Sequence, residues 1–100
     1  MTTQPEVFLV EDLYEDENFS VARVTLEGLG KLVKNNISDM TYILLEGEGE
    51  FRVNGSVNRI NKGQSLTISK GTLYQDEGNM VMLAIAIPPF DPASVDIIES

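Results

Sequence analysis

The chain has no cysteine, no histidine and no tryptophan. Without cysteine it forms no disulfide, carries no thiolate nucleophile and offers no thiolate to zinc. Without histidine it lacks the usual imidazole base and the commonest transition-metal ligand. Basic residues are scarce: 7 Lys and Arg stand against 16 Asp and Glu, a net charge of −9. So acidic a chain repels a phosphate backbone, and no nucleic-acid partner is expected. No apolar run approaches the ~20 residues that span a bilayer as a helix, so no membrane partner is expected either. The opening MTTQPEVFLVEDLYEDE has neither a basic n-region nor a cleavage site, and the expected compartment is the cytoplasm.

What is present suits one domain. The chain has 100 residues, 42% of them hydrophobic, enough to enclose a single core. It reads as short strands separated by turns. VFLV (7–10) is a brief apolar strand, and the acidic stretch Glu11 to Asn18 is a loop or a frayed helical turn. FSVARVTLEG alternates and is rich in β-branched residues. KLVKN, MTYILLEG, EFRVNG, VNRI, QSLTIS and NMVMLAIAI follow as further strands, the last closed by Pro88-Pro89. Asn54-Gly55 is the strongest hairpin signal, because that pair tolerates positive φ at both turn positions. Gly47 and Gly49 interrupt a strand and mark a bulge or sharp bend. Only DPASVDIIES has helical character. Strands this close together define an all-β sandwich or small barrel.

Several side chains raise questions of their own. Arg23, inside VARVTL, is expected to point outward, since burial unpaired is costly. Glu46, Glu48 and Glu50 recur at every second position and define a solvent face, with Arg52 relieving the row. Asp76 and Glu77 are a possible acid–base pair, with a solvated loop tip as the simpler reading.

Two spacings then stand out. Gly63 and Gly71 bracket QSLTIS, with Ser69, Tyr74 and Gly78 at fixed offsets from them. Upstream, MTYILLEGEGEFRVNG places Met40 seven residues before Gly47. With the closing IPPFDP, these stretches resemble the cupin family, specifically its small single-domain members, over roughly residues 19–92. The first family motif has two histidines and a glutamate. Its histidines would fall at Val33 and Asn35, or at Lys34 and Asn36, and its glutamate at Met40. The opening glycine fits Gly28 or Gly30 loosely. In the second motif Ser69 replaces proline, Tyr74 histidine and Gly78 asparagine.

The resemblance implies a cupin-like double-stranded β-helix, a jelly-roll barrel, without the family's metal. Domain organisation is expected as an N-terminal strand and acidic segment (1–18), the barrel (19–92) and a C-terminal tail (93–100). By strand alternation Met40, Tyr42 and Leu44 share a face, and the resemblance turns that face and Tyr74 inward. The expected site is therefore a pocket lined by Met40, Tyr42 and Tyr74, with Asn36 or Lys34 at its mouth. The competing reading fills the vacated metal site with side chains.

Three functions compete. One is a binding protein for a small polar or carbohydrate-like molecule, held by Tyr42, Tyr74 and Asn36. Another is a metal-free isomerase or lyase with Tyr74 as general acid or base, which needs a cation such as Lys34 nearby. The third is a structural or regulatory homodimer with a filled barrel. A homodimer is expected in any case, through the Val7–Val10 segment, and no cofactor is expected.

With no imidazole or thiolate to bind them, manganese, iron, nickel, copper and zinc are expected at less than about one tenth equivalent in purified protein. Elemental analysis after dialysis checks this, and near-stoichiometric metal would contradict it.

Overall fold

The structure is a computed structural model that describes residues 6–98. Eight strands form one antiparallel sheet: β1 (Val7–Glu15), β2 (Ser20–Leu29), β3 (Leu32–Asn35), β4 (Asp39–Val53), β5 (Ser56–Asn61), β6 (Ser65–Ile68), β7 (Leu73–Ile87) and β8 (Val95–Ile98). The two 15-residue strands β4 and β7 pair along their whole length. On its other edge β4 takes β6 near its start and β5 near its end. On its other edge β7 takes β3 near its start and β2 beyond. β1 adds to β2 and β8 adds to β3, and these two strands end the sheet.

The sheet folds over on itself, and the aromatic side chains show where. Tyr42 and Phe51 lie nine residues apart on β4, about 30 Å along a straight strand. Their ring centroids are 4.9 Å apart. Tyr42 lies level with Ala84 and Tyr74 lies on β7 itself, about 33 Å apart on a flat sheet. Those rings lie 6.0 Å apart. The crease runs through Gly28, Gly78 and Gly49, which sit side by side on β2, β7 and β4. A Cβ on Gly78 would lie 2.5 Å from the Glu48 carbonyl oxygen and 2.6 Å from Gly49 Cα, so the close approach requires glycine. The result is a jelly roll, as expected; of the two glycines expected at a bend, Gly49 lies in the crease, joined there by Gly28 and Gly78.

A bulge between Leu44 and Glu46 sets which side chains enter the core. Before it, Met40, Tyr42 and Leu44 face inward; after it, Phe51 does, and Glu46 and Glu48 are exposed. The extra residue changes the parity of the strand. From β7, Tyr74, Met80, Met82, Ala84 and Ala86 are buried, and Leu26, Ile60 and Ile68 complete the centre. Burying a large apolar side chain contributes roughly 1.5–3 kcal/mol. Leu26, Leu44, Phe51, Met80 and Met82, all but inaccessible to water, therefore anchor the fold.

Several sequence expectations need correction. MTYILLEG and EFRVNG are one strand, because the glycines bend β4 without ending it. The acidic stretch is strand to Glu15, since its backbone pairs with β2. The turn follows only at Asp16, whose carboxylate accepts from the Asn18 and Phe19 amides. The tail is a single 3-10 turn over Pro92–Ser94, capped by Asp91, followed by β8 paired with β3. The Val7–Val10 segment pairs with β2, and in the single chain Phe8, Leu9 and Val10 are 56%, 63% and 54% exposed. Arg23 does point outward, paired with Glu11 at 2.7 Å, and Arg52 bonds Glu50 and Glu77 across the acidic row.

Asn54 and Gly55 both have positive φ, 50° and 83°, as the hairpin signal requires. A Cβ on Gly55 meets nothing within 4 Å, so a substitution there strains only the backbone. Gly55→Val is expected to cost on the order of 1–3 kcal/mol. Gly78→Ala adds a backbone collision to a similar strain, and is expected to cost about 1–3 kcal/mol more than Gly55→Ala. Denaturant unfolding of the variants checks the order, and equal midpoints for the two alanine variants would contradict it.

Candidate functional site

The inward face of β7 carries Tyr74, whose neighbour is β3, and Asp76, beside Gly30 in the link between β2 and β3. The fold of the sheet brings Tyr42 of β4 over them. The Tyr42 and Tyr74 hydroxyls lie 2.6 Å apart in a buried hydrogen bond. Phe51 packs against both rings, at 4.9 and 6.5 Å between centroids. Above this trio opens a cavity of about 280 Å³, touched by Tyr42, Tyr74 and Asp76. Its walls are apolar, from Phe8, Val33, Phe90, Val95 and Ile97, with Lys31 contributing the basic group. The interior is thus packed at its centre and open at this end.

Asp76 was expected on a solvated loop tip. It lies within β7, because pairing with β4 begins upstream of it and runs through Asp76 opposite Phe51. Gly30 lies flat against it: a Cβ there would collide with the Asp76 carboxylate. The Gly30 amide donates to the Asp76 carbonyl at 2.7 Å, and the Gln75 side chain donates to the Gly30 carbonyl at 2.8 Å. These bonds fix the link between β2 and β3 against the cavity.

Burial sets the electrostatics. It pushes the Asp76 carboxyl up from 3.8 to about 6, offset in part by its own backbone amide. Burial also raises Tyr74 to about 12; the bond from Tyr42 lowers it and the Asp76 charge raises it. Tyr42 is pushed up further, first by burial and then by Tyr74. Both phenols are therefore protonated at neutral pH, while Asp76 is the group near its midpoint.

Of the four candidate residues, Tyr42 and Tyr74 meet at the cavity. Met40 is buried beside the site but does not line it, and its sulfur accepts from the Asn35 side chain at 3.5 Å. Asn36 is exposed on the outer side, where its amide donates to the Ser94 carbonyl and to Asp96. Asn35 takes the inward place, its side-chain oxygen accepting from the Ile37 and Ser38 amides. Val33 lines the cavity, so alternation turns Lys34 away, and it is not the cation beside Tyr74 that the sequence reading required. Asp76, raised in the sequence only as half of a possible acid–base pair with Glu77, was left out of the expected pocket. Its signal was present in the even spacing of Tyr74, Asp76 and the later core residues Met80 and Met82.

These residues do not fit the family's divalent metal. Tyr42 and Tyr74 are protonated phenols bonded to each other, and Met40 offers only a thioether already bonded to Asn35. Among the described residues no three Asp and Glu side chains converge.

A carboxylate raised in the folded state makes stability pH-dependent with a definite sign. The folded protein holds the Asp76 proton more tightly, so stability is full below about 3.8 and falls as pH rises through about 6. Asp76→Asn removes that loss. At pH 7.5 the variant is expected to be more stable than the wild type by on the order of 1–3 kcal/mol, with the gap shrinking toward pH 4. Thermal unfolding at both pH values checks this, and a destabilised variant at pH 7.5 would contradict it.

No protein-family model and no curated protein sequence matches the chain. Solved structures do. Streptomyces PAC13, a nucleoside dehydratase solved as a variant with uridine, superposes with a TM-score of 0.81 at 19% identity, over 97% of this chain and 93% of that one. An RmlC-like cupin from Desulfovibrio desulfuricans gives 0.74 at 28% identity, over 83% and 84%. Ectoine synthase from P. lautus gives 0.79 at 17% identity, over 99% and 81%. The two-motif spacing in the sequence, the jelly-roll topology and these superpositions agree: the chain has the fold of the small single-domain cupins.

Proposed function

We propose that the chain is a metal-independent cupin that binds a small polar molecule in the cavity over Tyr42, Tyr74 and Asp76. The observation that carries this is the meeting of two buried phenols, 2.6 Å apart, with a half-buried carboxyl at the floor of an apolar-walled cavity. Apolar walls with a few convergent polar groups are what a small-ligand site provides. A volume of about 280 Å³ suits a ligand of sugar-ring size. A neutral, hydroxyl-bearing ligand fits best: the phenol pair has one proton to donate, Asp76 accepts, and an anion would meet the Asp76 charge. Uridine, bound by the PAC13 protein of the same fold, is of this general kind.

The enzyme reading is favoured by one specific observation, the elevation of Asp76 beside two phenolic donors. In it Tyr74 serves as proton donor only, since a phenol near 12 is not a base at neutral pH. The filled-barrel reading loses support from the open cavity.

The homodimer is part of the proposal. β1 ends the sheet with a free edge and exposes Phe8, Leu9, Val10, Leu13 and Tyr14. Antiparallel pairing with a second copy, centred on Val10, sets Glu11 and Asp12 opposite Leu9 and Phe8, so no two acids face each other. Phe8 also walls the cavity, so a second copy would close the site from that side.

Uridine, ribose and myo-inositol are suitable first probes, by saturation-transfer NMR. At least one is expected to bind wild-type protein, with binding weakened at least about tenfold in Tyr74→Phe, the equivalent of one good hydrogen bond of about 1.4 kcal/mol. Equal binding to both proteins would contradict the site. For assembly, deleting residues 1–10 is expected to halve the mass in light scattering. An unchanged mass would contradict the β1 interface.

A further inference from the structure

Asp76 is a carboxylate without a partner. Among the described residues no cation pairs with it and no side chain donates to it. Such groups are costly in a protein interior unless they serve something. The surroundings preserve it all the same: Gly30 leaves room for its oxygens where any side chain would collide, and two hydrogen bonds hold Gly30 in place. It faces the same cavity as a phenol pair that has one proton to spare. When Tyr42 donates to Tyr74, the Tyr74 proton is free to point into the cavity. The same bond stabilises charge that builds on the Tyr74 oxygen.

We propose that Asp76 is a general base that removes a proton from carbon next to a carbonyl, with Tyr74 donating to the carbonyl oxygen, so that the cavity isomerises a small hydroxy-aldehyde or hydroxy-ketone. This rests on the cavity being the ligand site. The C–H bond next to the carbonyl breaks and its proton passes to the Asp76 carboxylate. The C–H electron pair forms a C=C bond, and the carbonyl electrons move to oxygen, which takes the Tyr74 proton. The enediol's other hydroxyl then returns a proton to Tyr74 as it becomes the new carbonyl, and Asp76 delivers its proton to the former carbonyl carbon. Every proton and electron pair is accounted for without an oxidant, a reductant or a metal. The geometry favours this class because a base and an acid stand on one apolar cavity, where a carbonyl oxygen is easily polarised and water is sparse.

The charged and titratable groups that line the cavity with Asp76 are Tyr42 from β4, Tyr74 from β7 and Lys31 from the β2–β3 link. β1 and β8 present only Phe8, Val95 and Ile97 to it. Asp76 is thus the one lining group that ionises near neutrality, held at about 6, and the rate should rise with pH through that value.

The experiment follows deuterium uptake at carbon next to the carbonyl, by proton NMR in D2O, with glyceraldehyde, dihydroxyacetone and erythrulose as probes. Wild-type protein is expected to accelerate exchange over a buffer control, with a rate that climbs as pH passes about 6. Asp76→Asn is expected to lower the rate at least about 100-fold while remaining folded. Tyr74→Phe should lower it too, and the outward-facing Glu77→Gln should not. Saturation transfer with the same probes separates the two claims. Probes that bind without exchanging overturn the catalytic role and leave the binding site standing. Probes that neither bind nor exchange count against both. Exchange that persists in Asp76→Asn overturns the assignment of the base.

Discussion

Everything in this molecule depends on a crease. β4 and β7 are each 15 residues long and pair throughout; as a flat ribbon they would leave two aromatic faces about 30 Å apart. The glycine row Gly28–Gly78–Gly49 allows the backbones to approach where the ribbon turns. The bulge between Leu44 and Glu46 changes parity, so Phe51 enters the same interior as Tyr42. Without the bend the Tyr42–Tyr74 hydrogen bond has no geometry, and without the parity change the interior loses Phe51 and admits Glu50. Packing and site come from one device.

The same device explains why the centre is filled and one end is open. Along the inward face of β7 the side chains run from Ala86 and Ala84 through Met82 and Met80, past Gly78, to Asp76 and Tyr74. The methionines fill the space left by the crease; their flexible thioethers suit irregular gaps. Beyond Gly78 the neighbour on one side changes from β2 to the short β3, and the packing gives way to a cavity. A carboxylate placed there raises the energy of the folded state at neutral pH.

The sequence revealed the fold more fully than the site, for physical reasons. Asn54-Gly55 fixed a hairpin because few residues accept its two positive φ angles, and both are present. The cupin resemblance carried by the Gly63–Gly71–Tyr74 spacing implied that Tyr74 faces inward, and the structure buries it against Tyr42. The strand boundaries were harder. Glu11 to Asn18 read as a loop because acidic side chains are depleted in strands, yet β1 runs to Glu15 at the sheet edge, where those side chains meet water. Asp76 was misplaced for a related reason: polarity after Tyr74 suggested a turn, whereas pairing with Phe51 holds it in β7. Asn36 was chosen over Asn35 because a gap in the motif left two registers open. One residue of register decides which of two neighbouring asparagines faces the core, and only the pairing of Val33 with Tyr74 resolves it.

The central claim is that one desolvated cavity holds the Asp76 carboxyl together with the Tyr42–Tyr74 pair. Carbon-13 NMR of the Asp76 carboxyl across pH tests it most directly, with Asp76→Asn to assign the signal. The account predicts a midpoint near 6, because burial holds the carboxyl away from water. A midpoint at the ordinary 3.8 would place the carboxyl in water and contradict the site.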